Sequence, residues 1–210
     1  MIETYLTIQK NGCDETVIQK SRFIGYAAPC ATEEEALQFI RSVREKHRDA
    51  RHHCYAYIIG RNRGIMRYSD DGEPGGTAGM PMMDVLKNEG VVDCCVVVVR
   101  YFGGILLGTG GLVRAYTQGC KTALQASGIV RMELCTAKRC RVSYNLWNQI
   151  QNRLQKMPVV LDDVAYTDSV EFAFYTRKAD LELCAGMLEN MTDGKIQWLD
   201  EEEKYLPWTL

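Results

Sequence analysis

The sequence predicts an α+β chain of two modules, residues 1–130 and 131–210, which meet near residues 128–133. Three observations carry this. The run Val92–Tyr101 is aliphatic on both faces and reads as a strand at the centre of a sheet. Two helical patterns flank it, one opened by Thr32 and one closed by Gly128. After Gly128 strands and helices follow in a different order. A chain of 210 residues with 46% hydrophobic and 25% charged residues has the makings of one or two packed cores.

In chain order, Thr4–Ile8 and Thr16–Gln19 read as strands joined by a hairpin at Asn11-Gly12. Phe23–Ala28 is a third strand, stopped by Pro29. Thr32 followed by Glu35 is a capping box, and Ala36, Leu37, Phe39, Ile40 and Val43 supply helical apolar spacing. Cys54–Ile59 and Ile65–Tyr68 are strands around a Gly60–Gly64 turn. Residues 69–79 hold four glycines, a proline and three carboxylates, so they form a loop. Thr77 is placed to cap a helix that runs to about Asn88, with Pro81 in its first turns. Gly103-Gly104 breaks the central strand, and Gly110-Gly111 opens a helix with the stripe Leu112, Ala115, Tyr116, Gly119 and Ala123.

The second module reads as a strand over Leu134–Ser143, a helix over Asn145–Lys156, a hairpin over 159–176, a helix over Asp180–Asn190 and a strand over Ile196–Leu199. That is β-α-β-β-α-β, the ferredoxin-like order. The acidic segment after Asp200 reads either as an edge strand or as a free tail.

Composition excludes several function classes. There is no eighteen-residue apolar stretch to cross a membrane, and residues 1–12 lack the basic and apolar regions of a secretory leader, so a cytoplasmic chain without a membrane partner is expected. Nine cysteines, an odd number without any C-x-x-C pair, are expected to be reduced thiols, with no metal and no other cofactor. The net charge of −2 hides an uneven distribution. Residues 41–67 carry +6 before their three histidines are counted, a charge that attracts phosphate-rich partners or forms an ordinary solvated face.

Three segments hold groups suited to chemistry: Arg51-His52-His53-Cys54, the 69–79 loop, and Arg100–Gly104 followed by Gly108–Arg114. Arg100 ends a buried strand, so its charge must reach solvent or find a carboxylate, and Asp70, Asp71 and Glu73 are the candidates. Those carboxylates read as a staple for the loop or, as hard oxygen ligands, as an acidic site for a cation. The glycine run resembles a phosphate loop only in principle. No Lys-Ser or Lys-Thr follows it, and Gly108-x-Gly110 is followed by Val113 where a dinucleotide loop needs glycine. Tight helix packing explains the glycines equally well. No nucleophile elbow occurs, and Cys54 beside His52 lacks a third, orienting group, so no catalytic residue is assigned.

Together SRFIGY, Ala50-x-His52-x-Cys54-x-Ala56, DDGEPGGTAG and VVVVRYFGGILLGTGGLVRAY resemble the bacterial branch of the IMPACT family, closely over about residues 18–127. The resemblance implies a first domain like the second domain of small-subunit ribosomal protein five, and like domain IV of elongation factor G. It implies a second domain like domain V of that factor. Eukaryotic relatives restrain activation of a starvation-responsive translation kinase by binding, not catalysis, through a chain with an extra domain absent here. No enzymatic activity comes with the family.

The expectation is thus a non-catalytic protein associated with nucleic acid or the ribosome, a regulator of translation, with RNA, the ribosome or a protein of translation as partner. Arg51, His52, Arg100, Tyr101 and Arg114 would contact the anion, Tyr101 by stacking a base, while Gly103, Gly104, Gly110 and Gly111 shape backbone contacts. The alternative is an enzyme acting on a phosphorylated small molecule or nucleotide, with Asp71 and Glu73 as metal or acid–base groups and residues 108–111 as the anion cradle. A third reading is a protein-interaction module that uses the C-terminal sheet and the hydrophobic tail, residues 200–210.

Overall fold

The computed structural model describes residues 4–207, and it divides into two compact units after Arg131. The first unit holds β1 (Thr4–Ile8), β2 (Gly12–Ile18), β3 (Ser21–Pro29), α1 (Glu33–Lys46), β4 (His52–Ile59) and β5 (Ile65–Ser69). It continues with α2 (Gly79–Glu89), β6 (Cys94–Tyr101) and α3 (Gly108–Ser127). Its antiparallel sheet has the order β2-β3-β6-β4-β5. The doubly apolar β6 is central, as its composition requires. Alternation sends Val96 and Val98 to a core shared with α2 and α3, and Val97 and Val99 to a second core shared with α1.

The Asn11-Gly12 hairpin does not form. β2 pairs instead with β3, from Gly12 opposite Ala27 to Ile18 opposite Ser21, and the turn is Gln19-Lys20, both at positive φ (45° and 67°). β1 is held elsewhere: Leu6 accepts from the Val92 N–H at 2.9 Å, and the Gln9 N–H donates to the Gly128 carbonyl at 2.8 Å. Gly12 serves close approach rather than a turn, because a Cβ there would lie 2.3 Å from Ser127 Oγ at the end of α3.

The Thr32 cap forms, its hydroxyl accepting from the Glu35 N–H at 3.2 Å. Thr77, by contrast, caps nothing and donates to the Pro74 carbonyl. Asp70 takes the capping role from a distance, its carboxylate accepting from the N–H groups of Gly76, Ala78 and Gly79 at 2.9, 3.0 and 2.8 Å.

The second unit holds most of β7 (Ile129–Val142), then α4 (Tyr144–Leu154), β8 (Val159–Tyr166), β9 (Val170–Arg177), α5 (Leu181–Met191) and β10 (Gln197–Pro207). The strands run β10-β7-β9-β8, the ferredoxin-like arrangement. Trp147, Ile150, Phe172, Phe174 and Leu188 pack the helices onto one face. The acidic tail is an edge strand: Glu201, Glu202 and Glu203 pair with Lys138, Ala137 and Thr136 after a register shift. All nine cysteines are free, and all but Cys13 are buried. No described helix is long and apolar enough to cross a membrane.

Candidate functional site

The site lies at the end of the first sheet where β6 finishes and β3 and β4 begin. Arg100 stands opposite His52 on β4 and Phe23 on β3. Alternation after Val96 and Val98 turns it to the α2–α3 face, where it is only 6% exposed. A guanidinium so placed must be paired. Glu73 supplies the carboxylate: Arg100 Nη1 donates to Glu73 Oε1 at 2.7 Å and to Oε2 at 3.0 Å, and the Tyr116 hydroxyl of α3 donates to Oε1 at 2.7 Å. Residues from loop, sheet and helix thus meet on one carboxylate. The Tyr116 ring packs edge-on to Phe23 at 5.4 Å.

His52 and Cys54 share this face of β4. His52 Nδ1 lies 2.9 Å from the Asp71 carbonyl, and the Cys54 thiol donates to the Asp70 carbonyl. Burial pushes the Cys54 thiol far up, away from thiolate chemistry. Asp71 turns the other way. Its carboxylate accepts from the His53 N–H and from Arg44 of α1, each at 2.7 Å.

Asp70, Asp71 and Glu73 therefore do not converge on a cation. One caps α2, one ties α1 to β4, and one neutralises Arg100. Among the described residues no His, Cys, Asp and Glu side chains group to hold a metal.

Tyr101 does not act beside Arg100. The next residue along a strand faces the opposite side, and Tyr101 lies towards α1. Its hydroxyl donates to Asp49 Oδ1 at 2.8 Å and lies 2.9 Å from His47 Nδ1, while the Tyr26 hydroxyl lies 2.7 Å from His47 Nε2. Since Tyr101 gives its proton to Asp49, His47 Nδ1–H donates to Tyr101 and Nε2 accepts from Tyr26, the neutral imidazole. The Tyr101 hydrogen bond holds the Asp49 carboxyl below its usual range, and burial, with help from Lys46, lowers His47. Arg22 lies over the Tyr101 ring at 5.4 Å, covering the face a base would use.

The glycines divide by role. Gly103 is required by packing, because a Cβ there would lie 2.0 Å from the Lys20 backbone. Gly104 (φ 82°) and Gly108 (φ 70°) hold left-handed conformations in open space. Gly111 is tight against Leu107, whereas Gly110 has only Arg114 Nη1 near it, at 3.8 Å. No side chain caps α3, so the N–H groups of its exposed first turn are left to solvent.

The positive segment is split. Arg48 and Arg51 are exposed at the site end, and Arg114 is exposed on the second turn of α3. Arg61 and Arg63 sit in the β4–β5 turn at the far end of β4, about 25 Å away by strand rise.

Two groups were missed by sequence reasoning, the Tyr116 hydroxyl and Phe102. Phe102 is 55% exposed, and its ring lies 5.6 Å from the Arg100 guanidinium carbon. Period-two spacing from Arg100 was the available signal for it.

Residues 19–124 match the Impact N-terminal domain, and residues 140–195 match a domain of unknown function, DUF1949. The chain is 39% identical to the IMPACT family member YvyE of Bacillus subtilis, over 98% of this chain and 95% of that one. The chain belongs to the IMPACT family. It is also 38% identical to the family member YigZ of Escherichia coli, over 89% of this chain and 92% of that one. A solved structure described as that of a hypothetical protein is 36% identical, covers 97% of this chain and 100% of its own, and superposes with a TM-score of 0.61. The residues at the site fall inside the first matched domain of this IMPACT family chain.

Proposed function

We propose that the chain is a non-catalytic nucleic-acid-binding protein, associated with RNA or the ribosome in the cytoplasm and acting in the regulation of translation. The observation that supports it is a surface at one end of the first unit. Exposed Arg48 and Arg51 have no ion-pair partner among the described residues and sit where β4 begins, and Arg114, likewise without one, lies on the second turn of α3 after its uncapped, glycine-rich start. Arginines of this kind contact phosphates, and the free N–H groups of a helix start favour the same charge. The enzyme reading draws no comparable support, because the carboxylates it needs are occupied by Arg100, Arg44 and backbone N–H groups.

Fluorescence anisotropy with labelled oligo(U) and with purified ribosomal subunits tests the proposal. Three phosphate contacts give a slope of log K against log[salt] of about −2 for a single strand. The double variant Arg48→Glu with Arg51→Glu is expected to flatten that slope and weaken binding. Absence of binding to either partner at about 50 mM salt would reject the proposal.

A further inference from the structure

Arg100 is not fully satisfied. The Nη1 atom makes both of its hydrogen bonds to Glu73. Its Nε–H is buried and has no partner, and with both Glu73 bonds made by Nη1, Nη2 makes no hydrogen bond among the described residues. A buried donor without an acceptor lowers stability, and native proteins rarely leave one. The side chain is 7% exposed, and its guanidinium carbon lies 5.5 Å from the Phe23 ring and 5.6 Å from the Phe102 ring. The idle edge is the one formed by Nε–H and Nη2–H, two parallel donors whose spacing matches two oxygens of a phosphate.

Phe102 is the exposed neighbour of this guanidinium. It is an aromatic ring 55% exposed, in a segment where Leu106 is 85% exposed. Its backbone is held on both sides, by β6 before it and by Gly103 after it, where the N–H donates to Ser21 Oγ at 3.1 Å and no Cβ fits. A side-chain rotation therefore moves the ring off the guanidinium without movement of the loop. Glu73 neutralises one side of Arg100, so the remaining edge takes one anionic group rather than a dense array.

We propose that Arg100 clamps one phosphate of a single-stranded nucleic acid through its Nε–Nη2 edge, while Phe102 swings aside to stack the adjoining base. The proposal rests on the nucleic-acid reading above and assigns that ligand its class. A base paired within a duplex keeps both faces covered, so a lone ring beside one phosphate clamp selects unpaired strands. Stacking passes from Tyr101, whose ring lies under Arg22, to Phe102.

The test follows the Arg100 Nε–Hε signal of the 15N-labelled full chain. That signal is assigned by its loss in Arg100→Lys or, should this variant not fold, by its contact with the Phe23 ring. The probes are oligo(U), oligo(dT), a matched duplex and a phosphoserine peptide. Either single strand should move the signal and bind about tenfold more tightly than the duplex. Phe102→Ala is exposed and should fold; it should lose that tenfold preference while leaving duplex binding unchanged, and Phe102→Trp should keep it. The inference is overturned if single strands bind without moving the Arg100 signal, if Phe102→Ala weakens strand and duplex alike, or if only the phosphopeptide moves the signal. The first two outcomes leave the nucleic-acid reading standing; no binding of any nucleic acid at low salt removes both.

Discussion

The chain uses acidic residues in two opposite ways. In residues 70–73 each carboxylate is turned inward. Asp70 accepts three backbone N–H groups, Asp71 joins β4 to α1, and Glu73 is 8% exposed beneath Arg100 and Tyr116. In residues 200–203 the carboxylates project from an edge strand into solvent, with surface pairs such as Glu201–Lys138 at 3.1 Å and Glu203–Lys178 at 2.7 Å. The difference teaches that charge count says little about role. A carboxylate that replaces water with several directed donors orders a loop, whereas one that stays hydrated keeps an exposed edge from pairing with other chains.

Four measurements break or sharpen this contrast. The largest effect is expected from Glu73→Gln, which leaves the Arg100 charge buried without its counter-ion. Urea unfolding should show a loss of about 3–5 kcal/mol. A loss below ~1 kcal/mol would mean the pair does not hold the loop to the sheet. Asp70→Ala comes next. It removes the acceptor for three N–H groups at the start of α2 and should cost about 2 kcal/mol, with amide exchange of residues 76–79 accelerated.

The third effect is a dependence on pH. His47 is lowered by burial, so below the ordinary histidine value of about 6.5 the unfolded chain binds more protons than the folded one. Stability is therefore expected to fall as pH drops from about 7 through that value, levelling off below the folded pKa. Melting curves of His47→Gln should lose this component. A wild-type melting temperature that rises on mild acidification would contradict the neutral imidazole between Tyr26 and Tyr101. The smallest effect is expected at the tail. Glu201→Gln removes a half-exposed partner of Lys138 and should change stability by less than about 1 kcal/mol, with any change vanishing at high salt.

Much of the fold was legible in the sequence. The capping box at Thr32, the doubly apolar β6 and the helix stop at Gly128 are signals written within a few residues, and each element appears where its signal lies. The errors share a cause. Asn11-Gly12 reads as a hairpin because turn propensity is local, but Gly12 is there because Ser127, more than a hundred residues later, lies against it. Thr77 reads as a cap for the same reason, while the acceptor that satisfies the helix start is Asp70, brought back by the loop.

At the candidate site, the need of Arg100 for a carboxylate followed from its place at the end of an apolar strand. Which carboxylate answers, and which edge of the guanidinium stays idle, did not. The amino-acid order by itself determined the strand and helix periods and the ferredoxin-like succession of the second unit, because these depend on backbone geometry repeated over neighbouring residues. Only the tertiary structure decided that three neighbouring carboxylates part ways and that Phe102 lies against Arg100. Those outcomes depend on which distant groups desolvate one another, a property of the packed chain and not of any window along it.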